Sequence, residues 1–309
     1  MPKRIFFIFL IFVFIFPASS CLGVDTRLDK KDLTSGLSVE KRIEKARNAS
    51  YTIIKINLYG DKKDVDLGMV SVGIGRGVVF KDNGKLIVLS AGHVIFSPEF
   101  DEDLYKFLLA EKCFLVLDWN ESPRVLADIR RYFEVHNINK TPIDSSQIQH
   151  LKITKEDFDN CFKENIFEKA VEMDLRNSKH NKRIDVGYVS LKNNPQKEKL
   201  NFLNVNDFDF DFDWKIGRRV AIWSTPRNLG EWYREGIVSS DYTNFSRTKK
   251  DYNFGIIDVF CAPGDSGGIV ISCDSGKIIG LPISISSVFP LGIIVKIDKF
   301  FDGLNLKKE

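Results

Sequence analysis

The chain has 309 residues, 43% of them hydrophobic and 28% charged, which suits a packed globular protein and excludes a disordered one. Its formal net charge is +3; Lys3 and Arg4 lie in a leader expected to be removed, which leaves 43 basic against 42 acidic residues, or +1. A nearly neutral chain gives nucleic acid no electrostatic footing, so no nucleic-acid partner is expected.

The leader comes first. Residues 5–16, IFFIFLIFVFIF, form an unbroken apolar run behind Lys3 and Arg4. At about 1.5 Å per residue such a helix falls short of a hydrocarbon core about 30 Å thick. Its length and flanks fit a signal peptide over 1–20. Pro17-Ala18-Ser19-Ser20 supplies small residues for cleavage, and Cys21 follows at once. The stretch resembles a bacterial lipoprotein signal, which implies lipidation of Cys21 and attachment to a membrane by that lipid. Ala18 departs from the Leu usual in that pattern. Plain secretion and an uncleaved anchor are the alternatives, and all three export the chain to the cell envelope or beyond. Disulfides are allowed there. Cys113, Cys161, Cys261 and Cys273 leave two readings open: a Cys261–Cys273 bridge or free buried thiols. With no CxxC or His/Cys cluster, no metal or other cofactor is expected.

Residues 21–50 read as a polar tether whose end, SVEKRIEKARNAS (38–50), is a short surface helix. Strands follow at YTIIKINLY (51–59), a glycine-punctuated pair in MVSVGIGRGVVF (69–80), LIVLSAGHVI (86–95) and CFLVLDW (113–119). The glycines of GIGRGVV lack phosphate-loop spacing and lead into β-branched residues, not a helix, which argues against nucleotide binding. From 120 to 182 the pattern loosens. VLADIRRYFEVHNI (125–138) reads as strand or ribbon. ITKEDFDNCFKENIFEKAVEM (153–173) has helical spacing behind a Thr154/Asp157 cap pattern. The stretch 121–182 therefore reads as a helical insertion. RIDVGYVSL (183–191) returns to strand, and NDFDFDFDW (206–214) reads as a connecting loop. Six short strands follow between 215 and 297. Their lengths and Gly/Asp/Asn/Pro turns point to a sandwich or barrel.

The chemistry centres on CAPGDSGG (261–268), a glycine turn between two apolar runs. Such a turn exposes Ser266 and aims the N–H groups of Gly264 and Ser266 at one point, as a serine nucleophile requires. A decorative hairpin is the plain alternative. Of His93, His136, His150 and His180, only His93 sits where an apolar strand breaks into small residues, Ala91-Gly92; the other three are expected to be solvated. Asp185 interrupts a strand, where an acid is disfavoured without a partner; Arg183 is its structural candidate and His93 its functional one. The order His, Asp, Ser in a β-rich frame differs from that of subtilisins and α/β-hydrolases.

On these residues the chain resembles the trypsin-like serine proteases of the chymotrypsin fold, in their bacterial form. GRGVVFKDNGKLIVLSAGHVI (75–95), RIDVGYVSL, IGRRVAIWSTP…REGIVSS, APGDSGGIV and GIIVKIDKF (292–300) carry the likeness. The resemblance implies a mainly β chain with two antiparallel six-stranded β-barrels. The first spans 51–200 with the insertion, and the second, with a terminal helix, spans 201–309. It implies that Ser266 attacks a scissile carbonyl, that His93 shuttles the proton, that Asp185 orients the imidazole, and that Gly264 and Ser266 bind the oxyanion. The substrate is then a protein or peptide. In digestive relatives with a basic-specific pocket an acid lies six residues before the serine; here that residue is Phe260. With Ala262, Ile283 and Ile285 it would line a pocket for small or apolar side chains. Activation by a freed N-terminus is not expected behind about 30 tether residues. The 43 residues after Ser266 leave no room for a PDZ module, so a full member of the high-temperature-requirement family is not expected. The competing readings are a catalytically inactive binding or adhesion module on the same fold, and an esterase using the same residues.

Overall fold

The structure is a computed structural model; it describes residues 37–60, 68–101, 106–125, 127, 148–151, 154–162, 169–226, 230–246, 249–285 and 291–308. The first element is helix α1 (Val39–Asn48). Ser38 caps it by accepting the Lys41 N–H, with Glu40 in the first turn and Lys45 and Arg47 in the last, each at the end its charge favours. This helix is docked: Arg42 is buried and donates to the Ser275 carbonyl at 3.1 Å, and Lys45 pairs with Asp207 at 2.7 Å.

Strands β1 (Ser50–Gly60), β2 (Gly68–Asp82) and β3 (Lys85–Ala91) run antiparallel, and the one-turn helix α2 (Gly92–Ile95) follows β3. Residues 69–80, read as a strand pair, belong to the single long strand β2. After β4 (Phe100–Asp101) and β5 (Lys106–Val116) come β6 (Ile148–Leu151) and helix α3 (Lys155–Cys161). Then β7 (Ala170–Asn181) and β8 (Val186–Leu191) complete a ring, β1-β2-β3-β8-β7-β5 and back to β1. The stretch 121–182 thus supplies a stave of the barrel, β7. The helix read over 153–173 is described only as α3, and Val171 lies in β7.

The second half repeats the plan. Strands β9 (Arg219–Ser224) and β10 (Trp232–Ser240) lead to a small hairpin, β11 (Thr243–Ser246) with β12 (Lys249–Asp251). Then come β13 (Phe254–Asp258), β14 (Ile269–Ser272), β15 (Ile278–Ile285) and β16 (Gly292–Lys296). They close as β10-β13-β16-β15-β14-β9. Counting only barrel strands, both rings read first-second-third-sixth-fifth-fourth. Two closed six-stranded antiparallel barrels with this order are a chymotrypsin-like fold.

The faces of β1 show how the first barrel is filled. Ile54, Ile56 and Leu58 cluster with Val125 and with Phe158 of α3. A helix has no room inside a six-stranded barrel, so this is the outer face, and the insertion covers it. Tyr51, Ile53, Lys55 and Asn57 alternate to the inside. The closing helix α4 (Ile297–Leu304) returns to the first barrel. There Lys179 Nζ donates to the Leu304 carbonyl at 2.8 Å and Asn181 Nδ2 to that of Gly303 at 3.0 Å, which buttresses the β7–β8 turn.

Candidate active site

Strand pairing brings His93 to Asp185. Ala91 of β3 lies opposite Val186 of β8, and the ladder runs one step further, Gly92 N–H to Asp185 C=O at 2.8 Å. Asp185 is not inside the strand, as the sequence suggests; it ends the turn before β8 with a left-handed φ of +51°. Aspartate is among the few residues other than glycine that enter that region. Its carboxylate takes the His93 backbone N–H on Oδ1 at 2.8 Å and meets His93 Nδ1 with Oδ2 at 2.6 Å. A carboxylate can only accept, so Nδ1 carries a proton and Nε2 of a neutral ring is free to act as a base. The imidazole is half exposed, at 50%, and open to a substrate. Arg183 is not the carboxylate's partner in this arrangement.

Gly92 is required by what surrounds it. A Cβ there would lie 2.3 Å from His180 Nε2 and 2.7 Å from Asp185 Oδ1. His180 is therefore not solvated as expected. It stacks on Phe96 (ring centroids 4.6 Å apart, planes 11° apart), and its buried Nε2 lies 4.0 Å from Asp185 Oδ1 without a hydrogen bond. Burial lowers its pKa, against the pull of Asp185, and so favours the neutral ring.

Ser266 lies on the connection from β13 to β14, the third-to-fourth-strand connection of its barrel. His93 occupies the same connection, β3 to β5, in the other. The neighbouring acid, Asp265, is buried and acts as a strut. It accepts the Ala262 N–H at 2.8 Å, the Ser224 hydroxyl at 2.7 Å, and both terminal nitrogens of Arg234 at 2.9 and 3.0 Å. Arg234 also donates to the Phe260 carbonyl and to Ser224 Oγ. Bidentate pairing of this kind gives direction as well as energy. The charge that holds Asp265 thus comes from β10 of the same chain.

The loop's backbone is largely committed. Asp265 N–H bonds to Ala262 C=O, Gly267 N–H to Pro282 C=O and Gly268 N–H to Asp265 C=O, at 2.8–3.1 Å. Among the described residues, the N–H groups of Gly264 and Ser266 have no acceptor. Gly267 has φ +76°, and a Cβ on it would sit 2.0 Å from the Arg76 carbonyl. The Ser266 carbonyl accepts the Arg76 N–H at 2.9 Å. Beside it, the place of a Gly75 side chain is 2.6 Å from both Val94 methyls and 3.2 Å from the Ser266 carbonyl oxygen. Residue 94 follows His93, so the serine loop and the histidine turn meet over β2. Fully buried Arg76 ties the halves again, pairing with Glu231 at 3.0 Å and bonding to Ser50 and Thr52.

Of the expected pocket residues, Phe260 is half exposed, while Ala262 and Ile283 are buried. Ile285 ends β15, and its side chain lies outside the described set, as does Cys21. Cys113, Cys261 and Cys273 are free thiols, so no Cys261–Cys273 bridge forms; burial pushes Cys261 up to about 12. Sequence reasoning missed Arg234, Lys55 and His180. The first two had a signal, a lone cation in an otherwise strand-like run.

No protein-family model and no curated protein matches this chain. Among solved structures it is similar to the HtrA-type protease AlgW with a decapeptide. The TM-score is 0.47 and the identity 12%, over 87% of this chain and 67% of that one. An AlgW variant with a tripeptide gives 0.43 and 14%, over 84% and 60%. The chain spans about two thirds or less of their length. At these scores the likeness adds no argument about activity.

Proposed function

We propose that this chain is a serine endopeptidase. The observation that carries the reading is the pair of hydrogen bonds from His93 to Asp185, backbone N–H to Oδ1 and Nδ1 to Oδ2, beside a serine loop pinned to β2, the strand on which Val94 packs. In this reading Ser266 Oγ attacks the carbonyl carbon of a peptide bond while His93 Nε2 takes its proton. The resulting oxyanion is held by the N–H groups of Gly264 and Ser266. Collapse expels the amine, which takes the proton back from His93, and leaves an ester on Ser266. Water then attacks that ester, again with His93 as base. Asp185 holds the ring in its tautomer and stabilises the imidazolium. Phe260, Ala262, Ile283 and Ile285 would favour small or apolar residues before the cut. Lipidation of Cys21 after export, with the enzyme tethered to a membrane, is part of the same proposal.

A fluorophosphonate probe tests it. The folded chain is expected to be labelled on Ser266 and the Ser266→Ala variant not at all. Equal labelling of the two sinks the proposal. Asp185→Asn is expected to keep the fold and lose about 10⁴-fold in turnover, because the tautomer is then wrong.

A further inference from the structure

We propose that Lys55 is a positioning residue for His93, its ammonium closing the carbonyl end of the one-turn helix that carries the imidazole. The inference rests on His93 acting as the base.

Helix α2 has four residues and is anchored by a single turn of its own, Phe96 N–H to Gly92 C=O at 2.8 Å. So short a helix leaves the carbonyls of its last turn without backbone donors and does not hold itself together. Side chains of the barrel take those carbonyls. Lys55 Nζ donates to His93 C=O at 2.6 Å and to Phe96 C=O at 3.0 Å. Cys113 Sγ donates to Ile95 C=O at 3.4 Å. Lys55 and Cys113 are directly opposed in the β1–β5 pairing, so one cross-strand pair underpins the whole turn.

The residue type is informative. Lys55 is only 8% exposed, inside a strand that is buried along its whole length. An aliphatic side chain would fill the space without the cost of burying a charge. What it would not do is donate. Burial pulls the Lys55 pKa down; the Glu111 and Asp185 carboxylates oppose this and favour the ammonium. The His93 peptide is thereby clamped from both sides: its N–H to Asp185 Oδ1 at 2.8 Å, its C=O to Lys55 Nζ at 2.6 Å. Fixing both ends fixes the backbone dihedrals at His93, and with them the direction in which its side chain leaves. Asp185 alone holds one end only.

The test compares Lys55→Met and Lys55→Arg in the full chain. Three readouts are used: steady-state kinetics on a peptide substrate, thermal unfolding, and the Nδ1 proton resonance of His93 in chain labelled with ¹⁵N-histidine. Lys55→Met is expected to unfold cooperatively and to keep its KM. Its kcat should fall about 10²-fold, the loss typical of a misplaced catalytic group. The His93 Nδ1–H···Asp185 resonance should broaden. Lys55→Arg, which keeps charge and donors, should recover much of both. If Lys55→Met does not fold, Lys55→Ala, which admits water to the two carbonyls, is read in the same way. Wild-type kcat and an unmoved resonance in a folded variant lacking the lysine overturn the inference. An inactive wild type whose resonance still depends on Lys55 overturns the peptidase reading instead, and leaves the positioning role standing.

Discussion

The two barrels share a strand order but hold their third-to-fourth-strand connections by different means. In the first, the His93 turn is held by a lysine from the first strand, donating to neutral carbonyls. In the second, the Ser266 loop is held by Arg234 from the second strand, paired through two nitrogens with the Asp265 carboxylate. A cation with little exposure serves both, yet the consequences of removing it differ. Carbonyls left by a lysine are neutral, and water or a small shift can satisfy them. A carboxylate left by an arginine is a bare charge in a buried place.

That contrast can be broken experimentally. Arg234→Met should have the largest effect on stability. It leaves Asp265 unpaired and should cost about 3–5 kcal/mol in urea unfolding, with probe labelling of Ser266 lost as the loop moves. Adding Asp265→Asn should restore part of that stability, because the stranded charge is gone. If Arg234→Met unfolds at the wild-type midpoint, the strut is not electrostatic. Phe158→Ala probes a feature of the first barrel, the insertion lying on the outer face of β1. It should cost about 3 kcal/mol through the cavity it opens, with kcat unchanged. The smallest effect concerns His180. Burial lowers its folded pKa below 6.5, so between that value and the unfolded one the unfolded chain binds more protons. Stability should therefore fall as pH drops through 6.5 towards the folded value, and His180→Gln should flatten that slope in unfolding midpoints taken between about pH 5 and 8.

Much of this was legible in the sequence because it is written locally. Strand lengths, the glycine turn at 264–268 and the small residues before His93 all act within a few positions of themselves. The features that escaped depend on what packs across the chain. Asp185 looks like a strand residue until the pairing of β3 with β8 puts it in the turn. His180 sits among Lys179, Asn181 and Lys182 and reads as solvated; only the β7–β8 pairing folds it onto Phe96 and Asp185. Strand β7 was hidden within 121–182 because its second half, Arg176 to Asn181, is polar and one of its two partners, β5, lies far back in the chain. Lys55 was visible as a charge in an apolar strand, but its purpose lies in a helix 38 residues further on.

The main hydrophobic cluster crosses the boundary between the barrels. Ile53, Val78 and Val88 of the first belong to the same packed group as Ile269, Leu281 and Val295 of the second, with Ala46 of α1 and Phe300 and Phe301 of α4 joined to it. Neither barrel can therefore lose its order without exposing apolar surface of the other. This gives the two halves a common folding fate: the residues of both barrels open to hydrogen exchange together, and neither half stands as a separate cooperative unit.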